Sequence, residues 1–101
     1  MVKKAAINIA RKYISFIPGE MSVKKAYLFG SYARGDQSEY SDIDVALIID
    51  NSDDIFDIQM RLLKIRRKVD LRIEPHPIKE QDFTSLNPFA NEIIQSGIEL
   101  V

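Results

Sequence analysis

The sequence predicts a small α/β or α+β fold in which helices and strands take turns along the chain, in the order αβαβαβ–αβ. Three stretches carry that expectation. Residues 3–17 repeat apolar side chains at helical spacing, residues 42–49 are apolar on both faces after a charged entrance, and residues 69–74 alternate with a period of two. At 101 residues and 46% hydrophobic, the chain suits a single domain, 1–101, with a core that needs no staple.

In the first stretch Ala6, Ala10, Tyr13 and Ile17, flanked by Ile7 and Ile14, share one stripe, and Pro18-Gly19 ends the helix. VKKAYLF, residues 23–29, reads as a strand because Tyr27, Leu28 and Phe29 gather at its end. Gly30 breaks that strand, Ser31 caps a short helix to about Arg34, and Gly35-Asp36 is a turn signal. DIDVALII, residues 42–49, is the clearest strand, and its apolar run marks it as central and covered on both sides. Asn51 or Ser52 then caps a helix over 53–67, with Asp53 and Asp54 in its first turn and Ile55, Ile58, Leu62 and Ile65 as its buried stripe. VDLRIE, residues 69–74, is a half-buried strand that Pro75 and Pro77 stop. Asn87-Pro88 is an N-cap and N1 pair for a helix over 88–96, which Gly97 ends, and IELV is a final edge strand.

Composition excludes several function classes. A net charge of −1 supplies no bulk basic field for tight, non-specific nucleic-acid binding. Without cysteine there are no disulfides and no zinc–thiolate sites, which fits a reducing compartment. No run reaches the ~18 apolar residues of a membrane span. The N-terminus, broken by Arg11 and Lys12, lacks a signal-peptide core, so a cytoplasmic protein is expected.

The chemistry gathers in GSYARGDQSEYSDID, residues 30–44. Asp42 and Asp44 stand at i and i+2 on the expected central strand, on one face and about 6–7 Å apart along it. Two such carboxylates repel each other and are costly to bury, and a divalent cation offsets that cost. Asp70, between Val69 and Leu71, offers a third carboxylate if the two strands are neighbours. Gly30-Ser31 lets a backbone approach an anion closely at a helix start, although no P-loop or dinucleotide fingerprint is present. Each feature also has a plain structural reading. Gly30-Ser31 could be an ordinary strand-to-helix turn, Asp42 and Asp44 a solvated strand entrance, and Asp70 a surface acid paired with Arg72 or Lys68. Arg34 could reach phosphate oxygens or be a surface arginine. His76, between two prolines, reads as a loop residue, and Glu74 as a fourth acid with no assigned role.

Gly30-Ser31, ten residues, and then Asp42-Ile43-Asp44 resembles the signature of the DNA polymerase beta-like nucleotidyltransferase superfamily. The fuller string GSYARG…SDIDVALI resembles its small members, the minimal nucleotidyltransferases. The resemblance implies a mixed sheet with helices packed against it, the nucleotidyltransferase fold. It implies that Gly30 and Ser31 bind a nucleoside triphosphate, most simply ATP, with Arg34 as a further candidate to reach its phosphates. Asp42, Asp44 and Asp70 are then the catalytic acids and the ligands of two Mg²⁺ or Mn²⁺ ions. The implied reaction moves a nucleoside monophosphate, AMP first among them, to an acceptor hydroxyl and releases pyrophosphate. It further implies a partner, either a helical HEPN-type protein or a second copy of the chain. The alternative is a partner-binding antitoxin with little catalysis of its own.

Overall fold

The computed structural model describes all residues, 1–101. Four helices and four strands alternate: α1 (Lys3–Ser15), β1 (Lys25–Phe29), α2 (Ser31–Arg34), β2 (Ile43–Ile49), α3 (Ile55–Ile65), β3 (Ile73–Lys79), α4 (Pro88–Ser96) and β4 (Ile98–Glu99). The strands form one mixed sheet in the order β3-β2-β1-β4. β2 runs antiparallel to β1 and parallel to β3, and β4 is antiparallel to β1. Of the two arrangements that the element order allows, this is α+β, with β2 central.

Alternation along the strands divides the interior in two. One face carries Leu28, Ile43, Val45, Leu47, Ile49 and Ile73 and is covered by α1 and α3 through Ala6, Ala10, Tyr13, Ile58 and Leu62. The buried Tyr13 hydroxyl donates to the Leu62 carbonyl at 2.8 Å and ties α1 to α3, and burial pushes its phenol up. The other face carries a smaller cluster, in which Phe29, Ala46, Ile48 and Ile78 meet Ile93 of α4. That second layer is thin, and it leaves the start of β2 partly open to solvent.

Two boundaries differ from the sequence reading for physical reasons. The N-cap of α3 is Asp54, whose carboxylate accepts from the Phe56 and Asp57 amides, and not Asn51 or Ser52. Ser52 instead donates its amide and hydroxyl to Asp50, forming a tight turn ahead of the helix and holding the Asp50 carboxyl below its usual range. The last strand moves further. β3 does not occupy 69–74 and is not stopped by proline; it runs through both Pro75 and Pro77. β3 is an edge strand with β2 as its only neighbour. Two prolines two residues apart direct their donorless nitrogens to the same side, away from β2, where no ladder bond is lost; on that side the Pro75 carbonyl accepts from Gln59 of α3 at 3.1 Å.

Candidate active site

Gly30, Ser31 and Asp44 come together because β1 ends where β2 begins, and Asp42 lies just ahead of β2. Phe29, the last residue of β1, is the register partner of Asp44, and Gly30-Ser31 follows at once. Gly30 has φ 75° and ψ −151°, a region open almost only to glycine. A Cβ there would lie 2.5 Å from Asp44 Oδ2, so the carboxylate rests directly against the Gly30 backbone. α2 then starts at Ser31, where the first amides of a helix lack intrahelical partners. α2 ends at Gly35, which is in the left-handed conformation.

Asp44 is partly buried, its side chain 26% exposed. Its Oδ1 lies 3.2 Å from Nε2 of His76. An ionised carboxylate only accepts, so this bond requires the proton on Nε2. Asp42 sits one residue ahead of β2 and is exposed. That entrance is pinned by the Ile43 amide, which donates to the Arg72 carbonyl at 2.9 Å.

On the other flank of Asp44 the register partner is Glu74. Residues paired across neighbouring strands direct their side chains to the same face. Glu74 and His76 therefore share the Asp44 face, while Ile73 points into the opposite core layer. The Glu74 carboxylate reaches 3.5 Å from the Arg66 guanidinium at the sheet edge. Asp70, expected on the strand, is placed differently. It lies in the turn before β3, its carboxylate accepting from the Arg72 amide and from the Arg72 guanidinium at 2.9 and 2.6 Å. The guanidinium bond is the main cause that holds the Asp70 carboxyl below its usual range, and Asp70 in turn raises Arg72. This is the pairing with Arg72 that the sequence left open, with the Asp70 side chain 17% exposed, and Glu74 takes the position opposite Asp44. Arg34 is exposed and paired with Glu92 of α4 at 2.9 Å and with Asp36 at 3.3 Å.

The sequence reading took His76 for a loop residue, whereas it lies on β3 with its ring against Asp44. Its ring stands edge-on to Phe29, 5.0 Å between centroids, and 5.9 Å from Phe89 of α4. The signal was present. Ile73, Pro75 and Pro77 alternate with Glu74 and His76, a period-two pattern that continues if proline is counted as apolar.

A divalent metal fits the donor chemistry here. Asp42, Asp44 and Glu74 offer hard oxygens of the kind Mg²⁺ takes together with substrate phosphates. No three acidic or imidazole side chains form a ready-made metal cluster, so water and phosphate oxygens would complete the coordination. No helix is long and apolar enough to cross a membrane.

A family model described as polymerase beta, nucleotidyltransferase, matches residues 11–101. Two proteins of Methanocaldococcus jannaschii, each named "Putative protein adenylyltransferase", are similar in sequence. MJ1379 is 39% identical over 63 residues, 61% of this chain and 63% of that protein. MJ0141 is 35% identical over 80 residues, 75% of this chain and 77% of that protein. The chain thus spans slightly less than two thirds of MJ1379. A solved structure from Sulfolobus solfataricus, described as a putative nucleotidyltransferase, superposes with a TM-score of 0.66 at 18% identity, over 96% of this chain and 80% of that one. A toxin–antitoxin structure with AMP-PNP gives 0.57 at 24% identity, over 94% and 72%. These two likenesses are of fold.

Proposed function

Because the chain belongs to the polymerase beta nucleotidyltransferase family, we propose that it transfers a nucleoside monophosphate, AMP, from ATP to a hydroxyl on a partner protein. The observation that carries this reading is the register at Asp44, with the Gly30 backbone on one flank and Glu74 on the other. In that arrangement phosphates would lie beside the Gly30 backbone and an acceptor beside Glu74. The names of the M. jannaschii relatives support AMP as the group moved and a protein as its acceptor.

In this mechanism Gly30 and Ser31 hold the triphosphate through backbone amides and the Ser31 hydroxyl. Arg34 joins them by exchanging Glu92 for a phosphate oxygen. Asp42 and Asp44, with Glu74 as third carboxylate, would hold two Mg²⁺ or Mn²⁺ ions. When bound, these stabilise negative charge on the attacking and leaving oxygens of the displacement. Glu74 stands on the acceptor side and receives the proton of the attacking hydroxyl. The new bond joins the acceptor oxygen to the α-phosphorus, and the bond from that phosphorus to the bridging oxygen breaks, releasing pyrophosphate. We assign the third-acid role to Glu74 over Asp70 because Glu74 is the register partner of Asp44, whereas Asp70 lies in the turn before β3, bound to Arg72. The whole chain, 1–101, acts as one cytoplasmic domain in this reading, and the acceptor protein or a second copy completes the site.

The test is transfer of label from α-labelled ATP, GTP, CTP and UTP to co-purifying proteins, read by gel and intact mass. Asp42→Asn with Asp44→Asn should abolish transfer while the fold survives, because Val45, Leu47 and Ile49 carry the core. Undiminished transfer by the double variant would sink the assignment. A binding-only antitoxin to a HEPN-type toxin is the second reading. Phe56 and Met60, both exposed and one turn apart on α3, favour it. A tight partner complex with no transfer from any nucleotide would select it.

A further inference from the structure

We infer that His76 is a positioning residue that fixes the Asp44 carboxylate for metal binding, an inference that rests on the function proposed above. Asp44 has two oxygens in two different settings. Oδ2 rests against Gly30, where a Cβ would lie at 2.5 Å, and Oδ1 meets His76 Nε2 at 3.2 Å. A carboxylate on a β-strand otherwise turns freely about its last torsion, which is broad and roughly two-fold. The contact at Gly30 limits that rotation on one side and the imidazole bond limits it on the other. Oxygens that hold metal are tuned by such outer hydrogen bonds, which orient the ligand.

His76 is itself held. It sits on β3 opposite Ala46 in the register, and its ring is flanked by Phe29 edge-on at 5.0 Å and by Phe89 at 5.9 Å, which pack against each other at 5.4 Å. Phe89 is in the first turn of α4, next to the N-cap Asn87 that accepts its amide. The aromatic frame thus sets the ring, and the ring sets the acid. Pro75 and Pro77 on either side restrict the backbone that carries it. His76 touches neither phosphate nor acceptor in this account, so it is not a catalytic residue.

The experiment compares wild type, His76→Phe, His76→Gln and Asp44→Asn as full-length chains. Mn²⁺ binding is measured by calorimetry, and transfer is measured against Mn²⁺ concentration. His76→Phe keeps a ring between Phe29 and Phe89 but has no donor. It should weaken Mn²⁺ binding about 10–100-fold, with transfer regained at high Mn²⁺. His76→Gln, whose amide nitrogen reaches the place of Nε2, should recover most of the affinity. Nitrogen NMR of the wild-type imidazole gives a readout that needs no variant to fold, and it should show a protonated Nε2. Unaltered Mn²⁺ binding in His76→Phe, when Asp44→Asn has lost it, would overturn the positioning role and leave the proposed function standing. A bare Nε2 would overturn it as well. So would nitrogen coupling to bound Mn²⁺ by pulsed electron paramagnetic resonance, because it would make His76 a direct ligand. A wild-type chain that binds no Mn²⁺ would remove the proposed function, and this inference with it.

Discussion

Replacing Gly30 with alanine tests the contact on which the site is built. Two costs arise at this position. The backbone, at φ 75° and ψ −151°, lies where an L side chain costs about 1–3 kcal/mol. The new methyl would also stand 2.5 Å from Asp44 Oδ2. The carboxylate must swing aside and give up its bond to His76, a further loss of about 1–2 kcal/mol for a partly exposed bond to a charged group. The sum is about 2–5 kcal/mol, within the ~5–15 kcal/mol of a small domain, so the variant should fold with a much lower melting point. Gly35→Ala is the control. Its φ of 83° imposes a conformational cost of about 1–2 kcal/mol, but a Cβ there meets nothing within 4 Å. Urea denaturation followed by circular dichroism should rank the stabilities wild type, Gly35→Ala, Gly30→Ala. Adding Asp44→Ala to Gly30→Ala should return part of the loss, because the clashing oxygen is gone. Equal destabilisation by the two glycine variants, with no coupling to Asp44, would refute the close-contact argument.

Other outcomes follow from the same geometry. Mg²⁺ or Mn²⁺ together with ATP should raise the melting temperature more than either alone, with a stabilisation of about 2.7 kcal/mol at a hundredfold excess over Kd. Asp44→Asn should erase that rise in differential scanning fluorimetry. Glu74→Gln should lose transfer whereas Asp70→Asn should retain it, and the reverse result in the labelled-ATP assay would return the third-acid role to Asp70. Asp70 also has a signature in stability. Its folded pKa is depressed by Arg72, so its contribution is fully present above the unfolded value of about 3.9 and is lost as pH falls through the lower folded value. The stability gap between wild type and Asp70→Asn, from urea titrations at pH 3–6, should therefore hold at the upper end and close toward the acid end.

Much of this was legible in the sequence where the controlling physics is local. The N-cap Asn87 with Pro88 at the first helical position marks the start of α4, and the apolar run after Asp44 marks β2 as central. Gly30 announced the turn because a strand meets a helix there. β3 was not legible in the same way. Whether Pro75 and Pro77 end a strand depends on what lies beside it, and only the sheet order makes β3 an edge. The strand bounds bear on the site. A strand at 69–74 brings Asp70 forward as the third acid, whereas the register of β3 with β2 sets Glu74 opposite Asp44 and makes His76 its hydrogen-bond partner. The pairing of Asp70 with Arg72 was among the readings left open, and short-range charge sufficed to suggest it.

The prolines that run through β3 also bear on how the protein behaves in a crowded solution. An exposed strand edge recruits other chains by offering a row of unpaired amides. Along β3 that row is interrupted at Pro75 and Pro77, and the opposite edge, β4, is two residues long. Neither border supports extension of the sheet by a neighbouring chain. Concentrated samples should therefore resist strand-mediated aggregation, and a true partner must grip side chains on the helices or the open face, with the backbone contributing little.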